Sequence, residues 1–189
     1  MYTALLLGAF FAASYAAPLS LNPATTINES NSWQPALGSK TTCNKESDKI
    51  IGFYIGPQSE TVLNNACAAM MPTCAYPELH PDIMCIQTID WPLNGTKKSV
   101  RSANVETRKR NKVSGWNVQF AVTPAPQPKE SAGVFWTKQD CYGYFAHMLG
   151  TWEPEDCHTD KGFGIGNITV GGESSLKGTV FEVTIVPGN

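Results

Sequence analysis

In the stretch Trp116-Asn117-Val118-Gln119-Phe120-Ala121-Val122-Thr123, apolar Trp116, Val118, Phe120 and Val122 alternate with Asn117, Gln119, Ala121 and Thr123. A period of two is the signature of a half-buried β-strand, so the chain is expected to build a sheet with one face on a core. Toward the carboxyl end a Pro-rich loop covers 124–133. Thr137-Lys138-Gln139-Asp140 then resembles a capping box, and Cys141, Phe145, Met148 and Trp152 follow at helical spacing with Gly150 near the end. Strands are predicted over 163–170 and 179–186, the latter with Phe181, Val183 and Ile185 on one face.

Toward the amino end the same order recurs. A β-rich run, 50–55, closes at Gly56-Pro57, and Ser59 is placed to cap a helix with Glu60 in its first turn. Val62, Ala66 and Met70, flanked by Leu63, Cys67 and Met71, form its apolar stripe, and Pro72 ends it. A strand is predicted over 83–91, then a turn at Asn94-Gly95 and a weaker strand around 100–105. The expected fold class is α+β: a largely antiparallel sheet with two packed helices, built from two pseudo-repeated β-α-β-β units and stapled by disulfides. A single α+β domain whose halves match by chance is the alternative.

The chain has 189 residues, 42% apolar and 16% charged, with a formal net charge of −2, which describes a folded protein without the positive excess of a dedicated nucleic-acid binder. The apolar run 4–13, followed by Ser14-Tyr15-Ala16-Ala17, reads as a signal peptide over 1–17. Residues 18–42 are expected to be a flexible leader, with little charge and much Ser, Asn, Thr and Pro. The α+β sandwich domain is expected over 43–189, with sub-units 43–110 and 113–189.

All six cysteines, Cys43, Cys67, Cys74, Cys85, Cys141 and Cys157, lie beyond the signal segment and are expected to pair outside the cell. Cys141–Cys157 is the pair expected from local stapling, and the other four leave three connectivities. No Cys-x-x-Cys occurs, which argues against a zinc or thioredoxin-type site, and no metal or cofactor is expected. Sequons place candidate glycosylation at Asn28, Asn94 and Asn167. The expected location is secreted and extracellular, with no transmembrane segment.

Half of the basic residues, Lys97, Lys98, Arg101, Arg108, Lys109, Arg110 and Lys112, fall within 97–112. They read as an anion-binding loop, as dibasic processing sites at Lys97-Lys98 or Lys109-Arg110, or as a solvated hairpin. Cleavage after Arg110 would part the two units. The segment 147–160 gathers His147, Glu153, Glu155, Asp156, His158 and Asp160, an acid/base candidate whose spacing matches no metal motif and reads first as a polar loop. Trp116 and Trp152 fall on expected core faces, which leaves Trp33, Trp91 and Trp136 as exposed candidates for a sugar-stacking platform. Gly162-Phe163-Gly164-Ile165-Gly166 precedes a strand, so its glycines serve close packing rather than phosphate binding.

Thr137-Lys138-Gln139-Asp140-Cys141 entering a short helix, then Cys157, Gly171-Gly172 and the closing strand ending Ile185-Val186-Pro187-Gly188 resemble, in layout, small secreted cysteine-rich proteins of filamentous fungi, the effector and killer-toxin-like class. The resemblance covers about a third of the chain and carries no catalytic residue. It implies a non-enzymatic secreted protein that binds an extracellular protein or glycan of a host or competitor and modulates host immunity or virulence. The alternatives are a dibasic-processed two-fragment toxin and a small secreted hydrolase.

Overall fold

The strand at 116–123 lies inside the larger of three sheets. In a computed structural model the described residues are 33–54, 56–151 and 156–188. The signal segment 1–17, the leader as far as residue 32 and the Asn28 sequon lie outside them. Strands β1 (Lys40–Cys43), β2 (Lys49–Ile51), β3 (Trp91–Pro92), β4 (Lys97–Arg101), β5 (Val105–Thr107), β6 (Trp116–Thr123), β7 (Phe135–Trp136), β8 (His158–Thr159), β9 (Gly162–Phe163), β10 (Gly166–Thr169) and β11 (Val180–Pro187) surround two helices, α1 (Ser59–Met70) and α2 (Lys138–Gly150).

The five-stranded sheet runs β1-β10-β11-β6-β4, every pair antiparallel. Val118, Phe120 and Val122 of β6 and Phe181 and Val183 of β11 are buried, as the alternation requires. Both helices lie on that face, α1 against β4 and α2 against β10 and β11. Phe145 of α2 meets Phe120 and Phe181 edge-on, with ring centroids 5.2 and 5.4 Å apart. Cys67 of α1 and Cys141 of α2, both fully buried, join the helices through a disulfide. The fold is therefore α+β, mostly antiparallel and stapled by three disulfides.

The helix at 138–150 begins as its sequence predicts. Thr137 Oγ1 accepts from the Asp140 backbone N–H at 2.9 Å, and Asp140 Oδ2 accepts from the Thr137 N–H, the reciprocal pairing of a capping box. The helix at 59–70 departs slightly: Gln58 is the N-cap, without a side-chain cap bond, and Ser59 is already helical.

The halves of the chain carry one helix each, but they do not form separate sub-units. Strand β1 pairs with β10, β4 with β6, and the four-stranded sheet β5-β2-β9-β8 mixes both halves. The disulfides follow the same pattern and correct the expected Cys141–Cys157 pair. Cys157 bonds Cys43, and Cys141 bonds Cys67, both across the halves, while Cys74–Cys85 is the local staple. Pairing is set by which Cβ atoms the packed fold brings within reach, not by neighbourhood in sequence.

Two segments also differ from expectation. Packed structure is already present at Trp33, ahead of the expected start near Cys43. The last ten residues of the expected leader form a strap: Trp33 lies on Gly143 of α2, where a Cβ would come within 2.2 Å of the indole ring. Trp33 Nε1 donates to Asp140 Oδ1 at 3.3 Å, its ring meets Tyr144 edge-on, and Ser39 Oγ accepts from the Gly171 N–H at 3.0 Å. In the opposite sense, the strand predicted over 83–91 is absent but for Trp91, and 83–90 is an open loop. An apolar run becomes a strand only where a neighbour takes its backbone bonds, and none flanks this one.

Candidate functional site

The open loop is firmly based. After α1, the 3-10 turns Thr73–Ala75 and Pro77–Leu79 bracket Tyr76, whose side chain is buried in the core. Lys138 Nζ sits 4.2 Å from the Tyr76 ring centroid and ion-pairs with Glu78. Burial, with the Glu78 carboxylate nearby, pushes the Tyr76 hydroxyl up to about 12. The disulfide Cys74–Cys85 closes the loop, and Trp91 pairs with Trp136 where β3 meets β7.

Between these anchors the side chains point outward. Met84 is 101% exposed, Ile86 90%, Ile89 83% and Ile83 48%. A groove of about 800 Å³ runs beside them, lined by Cys74, Ala75, Pro77, Ile86, Ile89 and Trp91 among others. Solitary exposed aliphatics are ordinary, whereas four on one short loop are an unusual amount of apolar surface to leave in solvent. Burying each against a partner is worth roughly 1.5–3 kcal/mol. The segment 50–96 itself contains no Lys or Arg; Lys138 of α2 is engaged with Glu78 at the loop's base, and Asp82 and Asp90 make no ion pair among the described residues.

The aromatic platform does not assemble. Trp136 is 1% exposed, so it is core, and Trp33 is half-buried on α2. Trp91 alone of the three lines the groove, half-buried. The basic run is likewise dispersed. Lys97 and Arg101 share the face of β4 that carries buried Ser99, whereas Lys98 points to the opposite, exposed face.

Arg108 donates to the Ser47 and Lys45 carbonyls at 2.6 and 2.9 Å, and Arg110 to the Asp160 carbonyl. Residues 107–112 are a tight turn in which Arg110 takes φ 63° and its N–H bonds the Thr107 carbonyl at 2.8 Å. This is the hairpin reading of the basic run, with two arginines serving as clamps. Were the chain cut there, two disulfides would still join the pieces.

In the acidic and histidine-bearing segment, Glu153 and Glu155 lie outside the described residues. His147 Nε2 meets Asp156 Oδ2 at 3.2 Å, and its Nδ1 lies 3.4 Å from Thr151 Oγ1. His158 stacks on Phe163 at 4.4 Å, with Nε2 toward Tyr54 Oη and Nδ1 toward the Gly150 carbonyl. Both histidines have each ring nitrogen within reach of a polar partner. Among the described residues no group of three or more His, Cys, Asp or Glu side chains could hold a metal.

Of the described sequons, Asn94 stands in an exposed turn, while Asn167 lies half-exposed on β10 opposite Glu182. Sequence reading missed the loop because its apolar residues suggested a strand; the available signal was the short Cys74–Cys85 spacing. It missed the cleft beside Asp156 because its walls, residues 35–39, 41, 147, 156 and 168, meet only in the fold. No helix of the described residues is long and apolar enough to cross a membrane. Comparison with known proteins returns no match: no family model, no curated protein and no solved structure corresponds to this chain.

Proposed function

We propose that this is a secreted, non-enzymatic protein that acts by binding an extracellular protein of another organism, with the loop 77–91 as its docking surface. The observation that carries this reading is the set of Ile83, Met84, Ile86 and Ile89 held outward on a disulfide-closed base. A rigid base lowers the entropy lost on docking. Aliphatic side chains without a free aromatic face suit an apolar protein surface better than a sugar ring. Acidic residues around them, with no Lys or Arg in 50–96, favour a partner with a basic rim and disfavour an anionic membrane. Three disulfides suit an oxidising extracellular setting. The layout resemblance to secreted fungal effectors agrees with this class of action and extends it to host immunity or virulence.

A benzophenone side chain installed at position 84 tests the reading in host or competitor extracellular fluid. One protein adduct is expected, with the attachment point on an apolar face rimmed by Lys or Arg, and with loss of the adduct in Ile86→Asp. Sedimentation velocity, vesicles of mixed anionic lipid and a glycan array run alongside. Dimerisation abolished by Ile86→Asp, vesicle binding, or glycan binding through this loop would overturn it.

A further inference from the structure

The three disulfides differ in what surrounds them. Cys67 and Cys141 are 0% exposed and Cys157 is 1% exposed, so these sulfurs meet an outside thiol only when the core opens. Cys74 and Cys85 are both half-buried, neither belongs to the core, and both line the groove beside the docking loop. Cys85 stands between Met84 and Ile86, which are almost wholly exposed, whereas Cys74 precedes buried Ala75 in its 3-10 turn. The same bond is the loop's main tie. The Ile83 N–H bonds the His80 carbonyl at 3.1 Å, but residues 84–89 make no backbone–backbone hydrogen bond among the described residues.

We propose that Cys74–Cys85 is a thiol-exchange site that switches the docking loop, held and ready to bind when oxidised, released when reduced by a small thiol. A thiolate of that thiol attacks Cys85 Sγ; a mixed disulfide with Cys85 forms, the Cys74–Cys85 bond breaks, and Cys74 leaves as a thiolate. A second thiolate attacks the outer sulfur of the mixed disulfide and expels the Cys85 thiolate. The two thiols depart as their own disulfide, having given two electrons to the protein, and both cysteines take protons from water. Cys43 is also half-buried, but attack there would expel the thiolate of Cys157 into the core, where an unpaired charge is costly. In Cys74–Cys85 the leaving sulfur belongs to a residue that lines the groove. With Cys43–Cys157 and Cys67–Cys141 intact, sheet and helices stay tied and only the loop gains freedom. Apparent affinity then falls by the fraction of loops left in the docking form. The effect on binding rests on the docking reading of 77–91; the selectivity of reduction rests on burial alone.

The test maps reduction on the full native chain. Glutathione or dithiothreitol is added without denaturant, free thiols are trapped with N-ethylmaleimide over time, and the peptides are weighed. Cys74 and Cys85 should be trapped at least about tenfold faster than the other four cysteines, with a transient glutathione adduct on Cys85. Backbone order parameters over 84–89 should fall in the reduced form while those of α1 and α2 hold. Capture by the benzophenone side chain at position 84 should weaken about tenfold and return on reoxidation. Cys74→Ser with Cys85→Ser should show the weak capture with or without thiol. Equally fast reduction of another pair, no reduction short of unfolding, unchanged order parameters, or equal capture by the reduced chain would each overturn the switch. Should the oxidised chain capture no partner, the docking reading falls, whereas the order of trapping and the order parameters still decide whether this bond is a thiol-exchange site that frees the loop.

Discussion

The strap 33–43 and the loop 77–91 are mirror cases. The strap is mostly small and polar by sequence, yet it is folded down on α2 and closes the sheet edge as β1. The loop contains four large aliphatic residues, yet it holds them in solvent. Hydrophobicity alone would assign the two the other way round. What separates them is the surface each one meets. Trp33 finds the bare backbone at Gly143 and an acceptor at Asp140, while Ile86 and Ile89 find no facing layer. The strap therefore belongs to folding, and the loop is left free for the docking proposed above.

Paired cysteine removals should break this comparison most visibly. Cys43→Ser with Cys157→Ser cuts the tie between β1 and the segment after α2, and should cost about 4 kcal/mol. Cys74→Ser with Cys85→Ser opens a far shorter ring and should cost about 2–3 kcal/mol while weakening partner capture. Urea unfolding of both pairs measures the difference. Equal costs would mean that the loop contributes to folding as much as the strap.

Trp33→Ala comes next, with an expected loss of about 2–3 kcal/mol from a half-buried indole that packs on Gly143. Gly143→Ala attacks the same contact from the helix, and should destabilise by about 1–3 kcal/mol because the ring has to move. If neither variant shifts the midpoint of denaturation, the strap is not part of the folded unit.

Alkaline titration sharpens the loop's base. Tyr76 is raised from its ordinary value near 10 to about 12, so its neutral form is favoured in the folded state. The associated stability, roughly 2–3 kcal/mol, is present below pH 10 and is lost as pH rises from 10 through 12. Stability measured at pH 9 and pH 11 should differ in the native chain. Tyr76→Phe should remove much of that difference, and since the hydroxyl has no hydrogen-bond partner among the described residues it should cost little at neutral pH.

The smallest effect on stability is expected in the loop itself. Ile86→Asp combined with Ile89→Asp should change unfolding free energy by no more than about 0.5 kcal/mol, as exposed sites do. The same variant should abolish the protein adduct at position 84. A large loss of stability would show that the loop packs against its own chain.

Much of the scaffold was legible because its signals are local. Strand β6 announces itself by alternation, α2 by the Thr137 and Asp140 capping pair, and α1 by the stripe from Val62 to Met70 with Pro72 behind it. Each depends on neighbours within a few residues, where the backbone period governs side-chain direction. The candidate site was less legible. Trp136 has the composition of a binding aromatic but pairs at Trp91 beneath the surface, and Arg108 and Arg110 have the charge of an anion site but spend it on backbone carbonyls.

By itself, then, the amino-acid sequence determined the class of the fold, its two helices, its main strands and its cysteine inventory, together with an expectation of export. The tertiary structure decided which cysteines meet, that Trp33 packs on α2 and which apolar residues stay outside. The contact between Trp33 and Asp140 spans 107 positions, and the Cys43–Cys157 bond spans 114. Such pairings carry no local period; they exist because two distant surfaces become complementary only after the sheet and helices have packed.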